Sequence, residues 1–411
     1  MTGRMPAEKR EGGMKRKTGL LAMGSVVLLL GAVVMLSQST PQAEVDYEAI
    51  AQKIVTQCAA IQAGEMIIIE GGSKELELLE NIAVNINKIG GYQLMTVGSD
   101  RLDRRWWTEV PEKYATQSRE PRVKLWDLFS AGIFVSYNDD EALLADIPAQ
   151  RQMAVANANA VITEARQKNN FRAVFLGNGL YPTVQLGQRY GLSKAELTRI
   201  FWDCVNIDYD ELQKTCSAVS SMLSAGNEIR ITQANGTDLK VRIAGRPVLV
   251  SDGVISAEDK EKGFAACQVY LPAGEVFVTP IPGTAEGKIV IDKNFFEGQE
   301  VVGWTMVFKA GKLVSMTAKS GLERVKSLFD AAGAGKDELA YVDIGVNPKL
   351  GEGAGNQILN WVRTGMITIG IGGNVWAGGS NNSPFGLSWF LPGGTMTVDK
   401  KPLVKDGKLL R

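Results

Sequence analysis

The chain has 411 residues, and its 45 basic side chains are balanced by 45 acidic ones. The zero net charge argues against a nucleic-acid-binding protein, since such proteins usually carry a basic excess. The sequence contains no histidine, the commonest metal ligand and the usual acid or base near neutral pH. Its absence excludes HExxH zinc sites, the Ser-His-Asp triad and the Cys-His dyad. Compositional drift and loss of a site are both open explanations.

The N-terminal segment is typical of an export signal. Residues 19–36 are apolar and uncharged, and the preceding residues 15–17 are all basic. The apolar run is close to the roughly 20 residues that span a bilayer, so residues 1–44 are predicted to form a basic cytoplasmic tail and a retained membrane anchor. The body of the protein would then lie outside the cytoplasm. Cleavage of the signal is the alternative, and it would give a secreted or periplasmic protein.

The first half of the body, residues 45–226, alternates short apolar runs with amphipathic stretches. This alternation predicts βαβ units and an α/β domain with a mostly parallel sheet. Glycine and polar residues follow several of the runs, as in Gly177-Asn178-Gly179, at the sheet edge where ligands tend to bind. Ordinary turns are the alternative. The predicted strands are residues 66–69, 94–97, 133–137 and 173–176, and the clearest predicted helices are residues 74–89 and 145–166.

The second half, residues 227–411, has a different pattern, and Gly226 is predicted to mark the boundary. Short alternating runs separated by turn dipeptides such as Asn235-Gly236 predict a mainly β domain of the α+β type with one helix near residues 321–332. The predicted strands are residues 228–232, 239–243, 275–279, 288–292, 302–308, 313–317, 339–344, 366–371 and 385–390.

The four cysteines do not form a CxxC pair, which excludes a zinc ribbon and a thioredoxin-type motif. Cys204 and Cys216 could form a disulfide in an oxidising compartment. Four buried free thiols are the alternative, because unpaired cysteine is among the most buried residue types.

Several segments, taken in order, resemble the thermophilic aminopeptidases, the family of the aminopeptidase T and S metallopeptidases. They include YPTVQLGQRYGLSKAEL, LPAGEVFVTPIPGTAEGKIVID, DIGVNPKL and GGSNNSPFGLSWF, and the likeness runs from about residue 47 to the C terminus. The resemblance implies a two-domain homodimer whose C-terminal domain holds two divalent ions, zinc, cobalt or manganese. These ions would activate a water that attacks the N-terminal peptide bond of a peptide.

The family supplies its metal ligands as two glutamates, two histidines, a tyrosine and an aspartate. By this resemblance, the glutamate of the LPAGE segment is Glu275, and the second glutamate is shortened to Asp343. The first histidine corresponds to Thr368. The tyrosine falls at Val375 or Trp376, and neither of these side chains can bind a metal.

The last two ligand positions are also changed, since the second histidine corresponds to Gly386 and the aspartate to Ser388. Zinc, cobalt and manganese prefer imidazole and carboxylate donors, so the two remaining carboxylates are interpreted as a relict site without a cofactor. The sequence therefore predicts a catalytically silent relative that acts by binding or assembly. The alternative is an active aminopeptidase with an oxygen-rich metal site, to which Glu338 or Glu352 could contribute. A relocated Ser-Lys hydrolase site is a third hypothesis, which no GxSxG motif supports.

Overall fold

Eighteen strands and eleven α-helices are present in residues 45–351 and 353–410, which a computed structural model describes. The helices are α1 (Tyr47–Lys53), α2 (Leu76–Lys88), α3 (Asp100–Glu109), α4 (Glu112–Ala115), α5 (Glu120–Trp126), α6 (Ala149–Lys168), α7 (Val184–Arg189), α8 (Lys194–Val205), α9 (Tyr209–Ser224), α10 (Ala257–Lys262) and α11 (Glu323–Ala331).

The strands belong to three sheets. They are β1 (Met66–Gly72), β2 (Tyr92–Gly98), β3 (Ala131–Val135), β4 (Arg172–Leu176), β5 (Glu228–Thr232), β6 (Asp238–Arg242), β7 (Val248–Ser251), β8 (Gln268–Leu271), β9 (Glu275–Val278), β10 (Glu286–Phe296), β11 (Gln299–Lys309), β12 (Lys312–Thr317), β13 (Leu339–Gly345), β14 (Ile367–Gly372), β15 (Gly386–Leu391), β16 (Thr395–Val398), β17 (Lys401–Lys405) and β18 (Lys408–Leu409).

The first sheet is parallel throughout, in the order β2-β1-β3-β4-β8. Its inner strands are short apolar runs, because helices and loops cover both faces of a parallel sheet. The predicted α/β arrangement is confirmed. The fifth strand, β8, comes from beyond residue 226, so the chain returns to this sheet after leaving it.

The other two sheets are antiparallel. One has eight strands in the order β12-β11-β10-β6-β5-β16-β17-β18, and the other has five in the order β15-β14-β13-β9-β7. The predicted mainly β character of the second half is therefore confirmed. Residues 45–411 belong to one compact unit, and the division into domains at residue 226 stays a prediction.

Local signals in the sequence account for several element boundaries. Ser193 and Glu196 form the predicted capping box at the start of α8. The long helix predicted from residue 145 begins only at Ala149, because Pro148 keeps the residue before it out of helical conformation. Five short strands, β7, β8, β16, β17 and β18, were not predicted, since runs of two to five residues carry little periodicity.

The predicted anchor, residues 19–36, lies outside the described residues. In the part of the chain that is described, no helix has the length and apolar composition needed to cross a bilayer. All four cysteines are buried free thiols, so Cys204 and Cys216 do not form a disulfide in the structure.

Candidate functional site

The two remaining carboxylates lie on one face of the five-stranded sheet. Asp343 is on the central strand β13, directly opposite Thr368 of β14 on one side and Phe277 of β9 on the other. Glu275 is paired with Gly345, two residues further along β13. Because side chains alternate between the faces of a strand, Glu275 and Asp343 are diagonal neighbours on the same face.

Both carboxyl groups are buried, and their environments differ. Asn178 donates an amide N–H to Glu275 Oε1 at 2.6 Å, whereas neither oxygen of Asp343 has a partner among the described residues. Burial raises the pKa of Glu275 to about 7, although the bond from Asn178 opposes the rise. Burial, and then the neighbouring charge of Glu275, raise the pKa of Asp343 well above its usual value. Both shifts favour the protonated forms.

These donors do not fit a pair of divalent metal ions. Two carboxylates and the Thr368 hydroxyl are far fewer donors than two such ions require. Within residues 45–351 and 353–410, no three or more His, Cys, Asp or Glu side chains are grouped so that they could hold a metal. Glu338 instead accepts an N–H from Asn381 at 3.4 Å, and Glu352 lies outside the described residues.

Aromatic rings fill the space beside the acidic pair. Tyr341 precedes Asp343 by two residues on the same face of β13, and its ring lies over Gly370 of the neighbouring strand. A Cβ on Gly370 would stand 2.3 Å from Tyr341 Cε1, so only glycine leaves room for this ring. Trp376 contacts Tyr341 at 5.1 Å and Phe277 at 5.4 Å between ring centroids. Position 376 thus supplies an aromatic ring instead of a metal ligand.

A hydrogen-bond chain connects Tyr341 to the next strand. The Tyr341 hydroxyl accepts the indole N–H of Trp361 at 3.1 Å and lies 2.6 Å from Ser388 Oγ on β15. Ser388, the position at which the resemblance implies an aspartate, therefore takes part in a different polar contact.

A cavity of about 1150 Å³ borders Ser388. Its lining next to Ser388 consists of Trp361, Phe390 and Gly386. Other parts of its wall are formed by the carboxyl ends of β3 and β4 and by the strand β10. The carboxyl groups of Glu275 and Asp343 do not line this cavity. A molecule bound in the cavity would therefore meet the hydroxyl and the rings before it met the acidic pair.

Residues 44–343 of the chain match the protein family described as "Thermophilic metalloprotease (M29)". The chain belongs to the M29 family. The match ends at Asp343, so the four positions from Thr368 to Ser388 at which the resemblance implies ligands lie beyond it.

Solved structures share the M29 fold of this chain. AmpT from Thermus thermophilus is 18% identical and has a TM-score of 0.66, and the match covers 89% of this chain and 99% of AmpT. A 2,5-dihydroxypyridine dioxygenase from Pseudomonas putida KT2440 is 10% identical with a TM-score of 0.54, over 89% of this chain and 96% of that one. At these identities the similarities establish the fold alone. A search of curated protein sequences gave no match.

The remaining two positions predicted from the resemblance are Val375 and Gly386. Val375 begins a 3₁₀ turn, and Gly386 is exposed on β15 opposite Gly372. The glycine-rich stretch at 370–379 packs on its own chain: a Cβ on Gly379 would meet Asn374 Oδ1 at 2.0 Å. Gly379 is therefore needed where the turn brings its backbone close to Asn374.

Sequence reasoning missed three residues that shape this M29 site: Asn178, Tyr341 and Trp361. Strand alternation could have placed Tyr341 beside Asp343, since both lie within the predicted strand at 339–344. Asn178 follows β4 at the edge already noted for ligand binding, but nothing local links it to Glu275. Trp361 lies in a loop, and only tertiary contacts bring it to Tyr341.

Proposed function

We propose that this M29 protein does not hydrolyse peptides and acts by binding a ligand, of peptide-like chemistry, in the cavity beside Ser388. The proposal rests on one observation: the side chains around Asp343 offer few atoms that could bind a metal ion. The strand opposite supplies Thr368 where the family resemblance implies a histidine, and the ring of Tyr341 packs over Gly370, two residues further along that strand.

The chemistry of the buried pair supports this proposal. Metal-dependent peptide hydrolysis needs an ion that generates hydroxide and polarises the carbonyl. Glu275 and Asp343 supply two carboxyl groups that prefer to be protonated, and neither residue lines the cavity. Neither group is placed to take a proton from a water attacking a molecule in the cavity.

One observation favours the alternative, an active aminopeptidase with an oxygen-rich metal site. Both oxygens of Asp343 lack partners in the described part of the chain, and a cation would satisfy them. Two carboxylates alone bind divalent ions weakly, so this hypothesis ranks second.

Metal analysis and an activity assay separate the two hypotheses. The purified full chain is equilibrated with zinc, cobalt or manganese, freed of unbound ions, and analysed for metal by mass spectrometry. Turnover of leucine p-nitroanilide is measured with and without a chelator. We expect well below one ion per chain and no chelator-sensitive turnover.

The matched variant for this assay is Glu275→Gln, which replaces one of the two carboxyl groups by an amide and keeps the shape of the side chain. We expect it to behave like the unmodified chain in both measurements. Stoichiometric metal that is lost in Glu275→Gln, together with chelator-sensitive turnover, would establish the active alternative.

Location and assembly are further parts of the proposal. The basic residues 15–17 and the apolar residues 19–36 support a body outside the cytoplasm, anchored or released. Protease treatment of intact spheroplasts should digest the body. Light scattering of the purified protein tests the homodimer that the family resemblance implies, and a monomer at micromolar concentration would contradict it.

A further inference from the structure

The hydrogen-bond chain through Tyr341 has a defined direction. The indole N–H of Trp361 can only donate, so the Tyr341 oxygen is the acceptor in that 3.1 Å contact. The second contact, 2.6 Å to Ser388 Oγ, allows either atom to donate.

Burial decides which atom donates in the second contact. If Ser388 donated to Tyr341, the buried phenol proton would have no acceptor within residues 45–351 and 353–410, which is costly in a low-dielectric interior. If Tyr341 donates, the Trp361 N–H, the Tyr341 hydroxyl group and Ser388 Oγ each have a hydrogen-bond partner. Successive donation from Trp361 to Tyr341 to Ser388 also polarises each bond in the same direction. The proton of Ser388 is then free, and Ser388 lines the cavity.

Two tryptophans lie beside the same cavity. Trp304 and Trp389 are almost fully buried, line the cavity, and pack edge to face with ring centroids 5.2 Å apart. Their indole nitrogens are buried and have no acceptor in the described part of the chain. Because these nitrogens are inaccessible from the cavity, a ligand would contact the rings and not the N–H groups.

The rest of the wall is aromatic, and most of its charges are already neutralised. The large apolar rings are those of Phe134, Phe175, Phe295, Phe296, Trp361 and Phe390. Arg189 forms an ion pair with Glu141, and Lys293 forms one with Glu300. Asp292 is exposed, and Glu70 forms no ion pair among the described residues, but burial raises the pKa of the Glu70 carboxyl group and favours its neutral form. A charged ligand would therefore find little free countercharge, whereas a neutral ring-bearing one would find many ring faces.

We propose that this cavity binds a neutral ligand with an aromatic ring and a carbonyl oxygen, and that Ser388 donates its hydroxyl proton to that oxygen. Tyr341 and Trp361 are positioning residues that keep this proton turned toward the ligand. The inference rests on the proposed function only in taking the cavity as the binding site.

The test measures binding of N-acetyl-L-phenylalaninamide to the full chain by calorimetry, with a chelator present so that metal plays no part. Its two charged relatives, the anion N-acetyl-L-phenylalanine and the cation L-phenylalaninamide, are measured alongside. We expect the neutral compound to bind most tightly. Absence of binding, or tighter binding of either charged compound, would overturn the inference.

Variants test the role of the serine and its support. Ser388→Ala should weaken binding roughly 3- to 10-fold, the effect of one hydrogen bond. Tyr341→Phe keeps the ring and should weaken binding roughly 2-fold, but it should add nothing in the Ser388→Ala background, because it acts through Ser388. Ser315→Ala, an exposed serine on β12, is the matched control and should leave binding unchanged.

Thermal unfolding of each variant separates lost binding from lost folding. Equal binding by Ser388→Ala and the unmodified chain would overturn the role of Ser388, and additive losses would overturn the positioning role of Tyr341. Because binding is measured with a chelator and hydrolysis is measured separately, failure here leaves the proposed lack of hydrolysis intact. Chelator-sensitive hydrolysis would contradict that proposal without affecting these results.

Discussion

Asp343 and Thr368 face each other across neighbouring strands, both are buried, and neither side chain has a hydrogen-bond partner within the described residues. In an ordinary sheet interior such a pair would be apolar, because a buried polar group without a partner destabilises the fold. The pair is therefore a place where the stability of the fold has not been optimised. Such a pair agrees with the proposed loss of a metal site at these positions.

Thr368→Val should stabilise the protein. Valine keeps the β-branched shape and removes a hydroxyl that has no partner, so we expect the free energy of unfolding to rise by about 1 kcal/mol. Urea unfolding measures the change. Thr317→Val, at an exposed position on β12, is the control and should have little effect. A clear loss of stability in Thr368→Val would show that the hydroxyl has a partner.

Stability should depend on pH through the acidic pair. The pKa values of Glu275 and Asp343 are raised in the folded state, so the native protein binds more protons than the unfolded chain above about pH 4.5. The free energy of unfolding should therefore decrease as the pH rises from about 4.5 through about 7. For Glu275, a rise from 4.5 to about 7 corresponds to a loss on the order of 3 kcal/mol.

The double variant Glu275→Gln with Asp343→Asn removes both titrating groups. We expect its melting temperature to change less with pH and to exceed that of the unmodified chain at about pH 8. Glu80→Gln, an exposed position on α2, is the control and should keep the original pH profile. A profile that the double variant leaves unchanged would show that other groups cause the dependence.

Gly370→Ala should disrupt the packing of Tyr341. The added Cβ would stand 2.3 Å from the Tyr341 ring, so the ring must move and its bond to Ser388 must break. We expect a loss of about 1–3 kcal/mol in the free energy of unfolding. Gly333→Ala is a matched control, because a Cβ there meets no atom within 4 Å, and it should change stability by less than about 0.5 kcal/mol.

The thiols should be unreactive until the protein unfolds. All four are buried and free, and burial raises the pKa of Cys58 and of Cys204 to about 12. Because the thiolate is the reactive form, the native protein should react slowly with Ellman's reagent, and four thiols should appear after denaturation without reductant. A count of two would indicate a disulfide that the structure does not contain.

Much of the fold could be predicted from local pattern. Apolar runs separated by helices indicated the parallel sheet, and alternating runs with turn dipeptides indicated the antiparallel sheets. Two features differed from the prediction. The helix α6 begins after Pro148, later than predicted, and β8, which is distant in sequence, pairs with β4 in the first sheet. The position of β8 could not be predicted, because strand order depends on contacts between residues far apart in sequence.

The sequence by itself determined what the site lacks. The absence of histidine is a fact of composition that folding cannot reverse. The family resemblance adds that Thr368 and Ser388 stand where a histidine and an aspartate are implied. What surrounds these two residues was decided only in the tertiary structure. Tyr341, Trp361 and Ser388 are separated by 20 or more residues in the chain. They form one hydrogen-bond chain because strand pairing and a loop bring them to the same face, and no local signal specifies such a contact.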